Sequence, residues 1–378
     1  MPSTIEVRPK RRVPGSLPLI GLMLMEALWA SPGVSAEHRI PGAAAVTPTR
    51  IVDVVYGHIH PALTLTHDGQ LLAAFVTSGQ GGKELLLCRS TDAGHTWTPP
   101  VAITGPEDDN IYTGSLTTLR DGRILANWSC YKPETRPGQK YDKYREARYS
   151  ISRDEGRTWT RARSYPVENL TLYTCLRNPI VELDGGRWLL TFFDRTAAFD
   201  PARNTLHSWG DGRKHGMVPI VRTPRGTFIS GTSDADSPVL GGKVKDPVGG
   251  LRSTDGGKTW QPLHALPRLG VSGHDIIVLR DGSLLLTTPE YRESDGWEIG
   301  IRMILSTDDG QTWPEKQSLT IHSAGRRIMG RGWPRTVQID DTTLGTVFFD
   351  LEKTMPGGPG LFFIRTPLAA LPRISAKR

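Results

Sequence analysis

Three histidines, His60, His215 and His274, stand just ahead of apolar segments of β character, where small or apolar residues are the norm. An imidazole placed there supplies a general acid or base near neutral pH, or one arm of a metal cradle; a histidine bonded to neighbouring backbone is the plainer alternative. The carboxylates Asp234 and Glu290 follow apolar segments, and two such groups flanking an acetal bond are what glycoside hydrolysis requires. Tyr291, beside Glu290, adds a phenol able to move a proton. These six are the candidate catalytic residues. Arg177, Arg292 and Arg335 carry planar guanidinium forks that grip a carboxylate or sulfate through paired hydrogen bonds, and ordinary salt bridges are the competing use. Trp333 offers a flat apolar surface for a sugar ring, or simply core. These four are the candidate substrate-binding residues.

What brings residues so far apart together is a repeat. The octet Ser-x-Asp-x-Gly-x-Thr-Trp occurs four times, at Ser90 to Trp97, Ser152 to Trp159, Ser253 to Trp260 and Ser306 to Trp313. Each reads as a hairpin clasp: the Asp accepts nearby backbone N–H groups, the Gly takes a positive φ, and the Trp packs inward. The interval from Asp154 to Asp255 is nearly twice the others, so it holds two units, one without a clasp. A second repeat agrees. Apolar segments meet across tight polar turns six times, at His67-Asp68-Gly69, Arg120-Asp121-Gly122, Asp184-Gly185-Gly186, Pro224-Arg225-Gly226, Arg280-Asp281-Gly282 and Asp340-Asp341. Six units of roughly fifty residues, each with four short strands and no helical periodicity, predict an all-β, six-bladed β-propeller with four clasp turns. Ring closure is expected from Ile51 to Tyr56 pairing near Leu361 to Ile364.

In such a blade the first strand starts on one face, the tight turn lies on the other, and the second strand returns to the first. First-strand starts and second-strand ends therefore share one face, around the channel mouth. This rule groups all ten candidates on that face.

The four octets, with the hairpins preceding them, resemble the Asp-box repeats of the sialidase superfamily over about residues 50–370. The resemblance implies the propeller fold and a carbohydrate site. Sialidases hold a substrate carboxylate with three arginines, the first in an Arg-Ile-Pro motif, protonate with an Asp and attack with a Tyr. This chain reads His58-Ile59-His60-Pro61 where the motif belongs, has no Asp in Thr77 to Lys83, and carries Phe348-Phe349-Asp350 where the tyrosine would sit. The resemblance thus implies an exo-acting glycoside hydrolase on acidic or decorated glycans rather than sialic acid cleavage by that machinery. A polysaccharide lyase acting on uronates and a glycan-binding propeller without catalysis are the alternatives.

The formal charge is +7, scattered along the chain, which argues against nucleic acid as a partner and permits acidic sugars. Cys88, Cys130 and Cys175 are too few for a disulfide framework and match no zinc spacing; they read as buried small hydrophobes, with a single Cys130 to Cys175 bridge left open. No metal and no cofactor is expected. The domain plan is a signal peptide at 1–36, a linker at 37–48, the propeller at 49–372 and a tail at 373–378, with a monomer expected. Residues 1–36 run from basic Lys10-Arg11-Arg12 through an apolar stretch, Leu17 to Ala30, to small residues ending at Ala36, the order of a secretory leader. That stretch is too short to span a bilayer, so the chain is expected to be secreted or periplasmic. An uncleaved anchor or a disordered leader is the alternative; N-terminal sequencing of protein from the producing cell should find a start near Glu37, and an intact Met1 on cytosolic protein would contradict export.

Overall fold

The computed structural model describes residues 47–53, 60–76, 84–105, 111–132, 143–168, 175–192, 195–212, 218–231, 250–263, 273–292, 297–323, 331–350 and 358–372. Among these, six four-stranded antiparallel sheets surround a channel as the blades of a propeller. Blade 1 comprises β2 (Ala62–Leu65), β3 (Leu71–Val76), β4 (Leu85–Ser90) and β5 (Val101–Ala102), and blade 2 comprises β6 (Ile111–Thr118), β7 (Ile124–Lys132), β8 (Lys143–Ser152) and β9 (Arg163–Ser164). Blade 3 holds β10 (Val181–Glu182), β11 (Trp188–Thr191), β12 (Thr196–Asp200) and β13 (Thr205–Trp209), and blade 4 holds β14 (Val221–Arg222), β15 (Phe228–Gly231), β16 (Gly250–Ser253) and β17 (Gln261–Leu263). Blade 5 is β18 (Asp275–Val278), β19 (Leu284–Arg292), β20 (Trp297–Ser306) and β21 (Leu319–Ser323). Blade 6 is β22 (Arg331–Gln338), β23 (Thr343–Asp350) and β24 (Gly360–Pro367), closed by the first strand of the chain, β1 (Thr49–Asp53). All six polar turns join the first and second strands of a blade. Closure pairs Thr49 with Phe363 and Asp53 with Gly360, so the closing strand starts two residues earlier than its apolar run suggests.

The core is a ring of six apolar clusters, one at each junction between blades. In β3, Leu72, Ala74 and Val76 pack toward blade 2, while Leu71, Ala73 and Phe75 pack toward blade 6. Both faces of each sheet are covered, which is why the inner strands read as continuous apolar runs rather than as alternating patterns.

The four clasps form as their sequence dictates. In the blade 4 copy, Asp255 accepts the Thr259 and Lys258 backbone N–H groups at 2.9 and 3.0 Å, the Thr259 hydroxyl at 2.6 Å and the Ser253 hydroxyl at 2.7 Å. Each clasp also leans on the preceding blade. Gly94 has φ of +88° and lies so close to the Phe363 ring of blade 6 that a Cβ would collide with it. The Trp209 indole of blade 3 donates to the Gly256 carbonyl, and Thr227 and Arg252 of blade 4 donate to Asp309. Blade 3, which lacks the octet, builds a similar turn from Asp200, which accepts the Ala202 and Arg203 N–H groups, with Asn204 at φ of +52°.

The Thr hydroxyl and backbone N–H bonds hold the Asp92, Asp154 and Asp255 carboxyls well below the ordinary carboxylate range. A depressed folded-state pKa stabilises the fold above the unfolded value of about 4 and loses that contribution as pH falls. Denaturant unfolding should therefore be insensitive to these groups from neutral pH down to about pH 5 and weaken progressively below about pH 4. Asp255→Ala should cost about 1–2 kcal/mol at neutral pH and show a smaller acid loss than the parent; equal stability at pH 7 would contradict the clasp's role.

Candidate functional site

The channel is lined by the first strands of all six blades and encloses a cavity of about 370 Å³. At the face where first strands begin, one side chain ties the ring across its axis. Arg335, from β22 of blade 6, is buried; one terminal nitrogen donates to the His274 carbonyl at 3.1 Å and to Asp275 Oδ1 at 3.2 Å, both of blade 5. The other donates to the Arg177 carbonyl at 3.1 Å and to Asn178 Oδ1 at 3.0 Å, both of blade 3. The Asn178 amide in turn donates to the Val218 carbonyl of blade 4, and Asp275 accepts the Thr336 N–H at 2.6 Å. Burial raises the Asp275 carboxyl above its ordinary value, opposed by the Arg335 charge and the Thr336 N–H, while burial lowers Arg335. Arginine stays protonated through the accessible pH range, so the Asp275 carboxyl faces a full positive charge. The mouth is further joined to blade 2 through the Thr113 hydroxyl, which donates to the Leu176 carbonyl, and through Ser129, which accepts the Leu176 N–H.

Above this pair stands Trp333. The register of β22 against β23 slips by one residue between Gly332 and Arg335, and Trp333 occupies the bulge with φ of +51°. Among the described residues the other non-glycine residues with positive φ, Ala93, Glu155, Asn204 and Asp309, all sit in clasp or hairpin turns. A left-handed tryptophan costs about 1–2 kcal/mol, and such strain concentrates at functional sites. The Arg177 guanidinium lies over the indole at 4.6 Å, and the His60 ring meets it perpendicularly at 4.4 Å. Gly273 packs so tightly against the benzene half that a Cβ would collide with it. The Arg177 Nε donates to Cys175 Sγ at 3.2 Å.

His274 Nδ1 shares a hydrogen bond of 2.7 Å with the Thr288 hydroxyl. Thr288 and Glu290 are two apart on β19 and project from the same face of that strand, so Glu290 lies one pleat beyond the histidine's partner. The Glu290 carboxylate accepts the Thr320 hydroxyl at 3.1 Å.

The structure thus brings His60, Arg177, His274, Trp333 and Arg335 together from four blades, whereas Glu290 lies further along β19 of blade 5, with its carboxylate on Thr320 of β21. Two of these have environments other than those expected from sequence. The terminal nitrogens of Arg335 are directed at protein acceptors, and the Trp333 ring carries Arg177. Tyr291 and Arg292 end β19, opposite Glu298 and Trp297. His215 and Asp234 lie outside the described residues. Asn178, Asp275, Thr288 and Gly273 complete the cluster; the strand rule reaches the first two, whereas a Thr inside an apolar strand and a Gly before a His carry no signal of their own. The three cysteines are buried and form no disulfide among the described residues. Cys130 packs in the junction of blades 1 and 2 while Cys175 lies beside Thr113 and Arg177, so the bridge left open by the sequence does not form.

A model of the BNR/Asp-box repeat matches residues 251–262, the blade 4 clasp and its flanking strands. A sialidase from Bacteroides fragilis (strain YCH46) is 23% identical over 339 residues, covering 76% of this chain and 59% of that protein, so the chain spans under two thirds of that relative's length. Among solved structures, a protein of unknown function from Dyadobacter fermentans DSM 18053 superposes with a TM-score of 0.64 at 20% identity, over 86% of this chain and 99% of the other. The Hadza microbial sialidase Hz136 gives 0.63 at 17% identity, over 82% of this chain and 66% of the other. These likenesses establish a sialidase-like propeller.

Removing one partner of a buried ion pair strands the other. Arg335→Met should destabilise the protein by about 3–5 kcal/mol, and adding Asp275→Asn, which keeps an acceptor for the Thr336 N–H, should recover at least about half of that. Denaturant unfolding of the single and double variants checks this; additive losses would contradict direct coupling.

Proposed function

We propose that this sialidase-like propeller is a carbohydrate-active enzyme that receives the end of an acidic or decorated glycan at the channel mouth and hydrolyses it. The observation that carries this reading is the convergence of Arg177 and His274, through their backbone carbonyls, on the buried Arg335, with Trp333 held under Arg177 in a strained bulge. Packing alone would be served by small apolar residues, without the desolvation of an Arg–Asp pair or a left-handed tryptophan. In this reading Arg177 neutralises an anionic group of the sugar. His274 and Glu290, on adjoining pleats of blade 5, hold and move the proton at the glycosidic oxygen and the attacking water. Glu290 serves as one of the two carboxyl groups that glycoside hydrolysis needs, and Asp234 is the sequence candidate for the other. Residues 1–36 support export, so the glycan would be met outside the cell or in the periplasm.

One observation favours lyase chemistry as a second reading. Among the described residues at the mouth, Asp275 is tied to Arg335 and Asp350 to His322, which leaves Glu290 without an evident carboxylate partner across the site. A lyase needs only a base, such as His274, and a cation beside the uronate carboxylate.

Incubation of the purified protein with acidic polysaccharides, read by reducing ends and by ultraviolet absorbance, separates the readings. Hydrolysis gives the first signal alone, elimination gives both, and binding with neither signal supports a non-catalytic role. Glu290→Gln and His274→Ala should each lower turnover by at least about a hundredfold with little loss of stability. Full activity in both variants would remove them from the chemistry.

A further inference from the structure

We infer that Arg177 and Trp333 form a charge filter, in which the guanidinium covers the aromatic face that a neutral sugar would need and admits only sugars carrying an anionic group. The inference rests on the reading of the mouth as a glycan site and specifies how that site selects. Sugar rings commonly settle on an indole face, and Trp333 is the indole among the described residues of the mouth cluster. Its surroundings say otherwise. His60 and Gly273, both buried, pack against the ring, and Arg177, half-buried, lies over its face at 4.6 Å. A cation over an indole is attracted to the ring quadrupole, so the cover is favourable in the absence of ligand. It is also anchored twice more, by Nε donating to Cys175 Sγ and by the Arg177 carbonyl accepting from Arg335. A neutral sugar would have to break this stack to reach that face of the ring and would forfeit the cation–π attraction. An anionic sugar meets the guanidinium where it already lies.

Gly273 then has a defined part as a positioning residue. Its backbone is in an ordinary conformation, so the need for glycine is steric: a Cβ would collide with the indole, and a side chain there would shift the ring that Arg177 covers.

Calorimetric titration of the full protein tests the filter, using oligomers of galacturonate, of mannuronate and of glucuronate with N-acetylglucosamine, each beside its carboxyl-reduced neutral counterpart. The parent should bind at least one acidic oligomer about tenfold or more tighter than its neutral form, with affinity falling as salt rises. Arg177→Ala and Arg177→Gln should lose that preference, and Arg177→Ala, with the ring uncovered, should gain binding of the neutral form with a shift in tryptophan emission. Adding Trp333→Leu should abolish the gained binding. Thermal unfolding of each variant guards against misfolding, and the Gln variant, which keeps most of the side-chain length, stands in should the Ala variant fail to fold. Equal binding of neutral and acidic forms by the parent, or unchanged preference in both Arg177 variants, would overturn the filter and leave the glycan site standing. No binding of any oligomer by the parent would overturn the filter and the glycan site together.

Discussion

One guanidinium holds the channel mouth of this propeller in register. Arg335 reaches from blade 6 to blade 5 and, across the channel, to blade 3, where Asn178 passes the tie on to blade 4. Its acceptors include the backbone carbonyls of Arg177 and His274, so one planar fork sets the distance between the cation and the imidazole at the mouth. A lysine could not make four such bonds in fixed directions. Buried ion pairs rarely add stability over an apolar replacement, and their best attested use is to specify one arrangement among several. That is the use the geometry gives this one: it fixes where the first-strand starts of blades 3, 5 and 6 stand at the mouth while the apolar junctions hold the blades together.

The two faces divide the work. On the far face each clasp satisfies its own turn through an aspartate and leans on the preceding blade, as Gly94 does on Phe363 and Gly256 on Trp209. Among the described residues the near face carries no clasp, and the first-strand starts carry buried polar groups that bond across blades. Six apolar clusters lie between the faces, one per junction, and supply the burial that makes the ring stable. Since each cluster needs both neighbours, β1 has to return to blade 6 before the ring is complete.

The fold was legible because it is written six times over: the octet and the tight turn are local, and each forms from residues within a few positions of one another. Even the missing clasp of blade 3 was visible as a doubled interval. The mouth was legible only in outline. Strand direction alone grouped His60, Arg177, His274 and Arg335 on one face, but the partner of a side chain reaching across a channel depends on blades far apart in sequence. Hence Arg335, read as a clamp for substrate, is found bonded to protein acceptors, and Trp333, read as a platform for sugar, is found under Arg177. The bulge that turns Trp333 to a positive φ has no sequence marker beyond its flanking Gly332 and Pro334. The tight approach of Gly273 to that indole is a tertiary event that no local pattern announces.

The central claim is that the mouth above the Arg335–Asp275 pair is where glycan binds, with that pair as support rather than ligand. A crystal structure of the protein with an acidic oligosaccharide tests it most directly. The account predicts sugar density over Arg177, within reach of His274 and Glu290, with Arg335 still bonded to Asp275, Asn178 and the two carbonyls. Sugar density elsewhere on the propeller, or Arg335 turned from Asp275 onto the sugar, would contradict it.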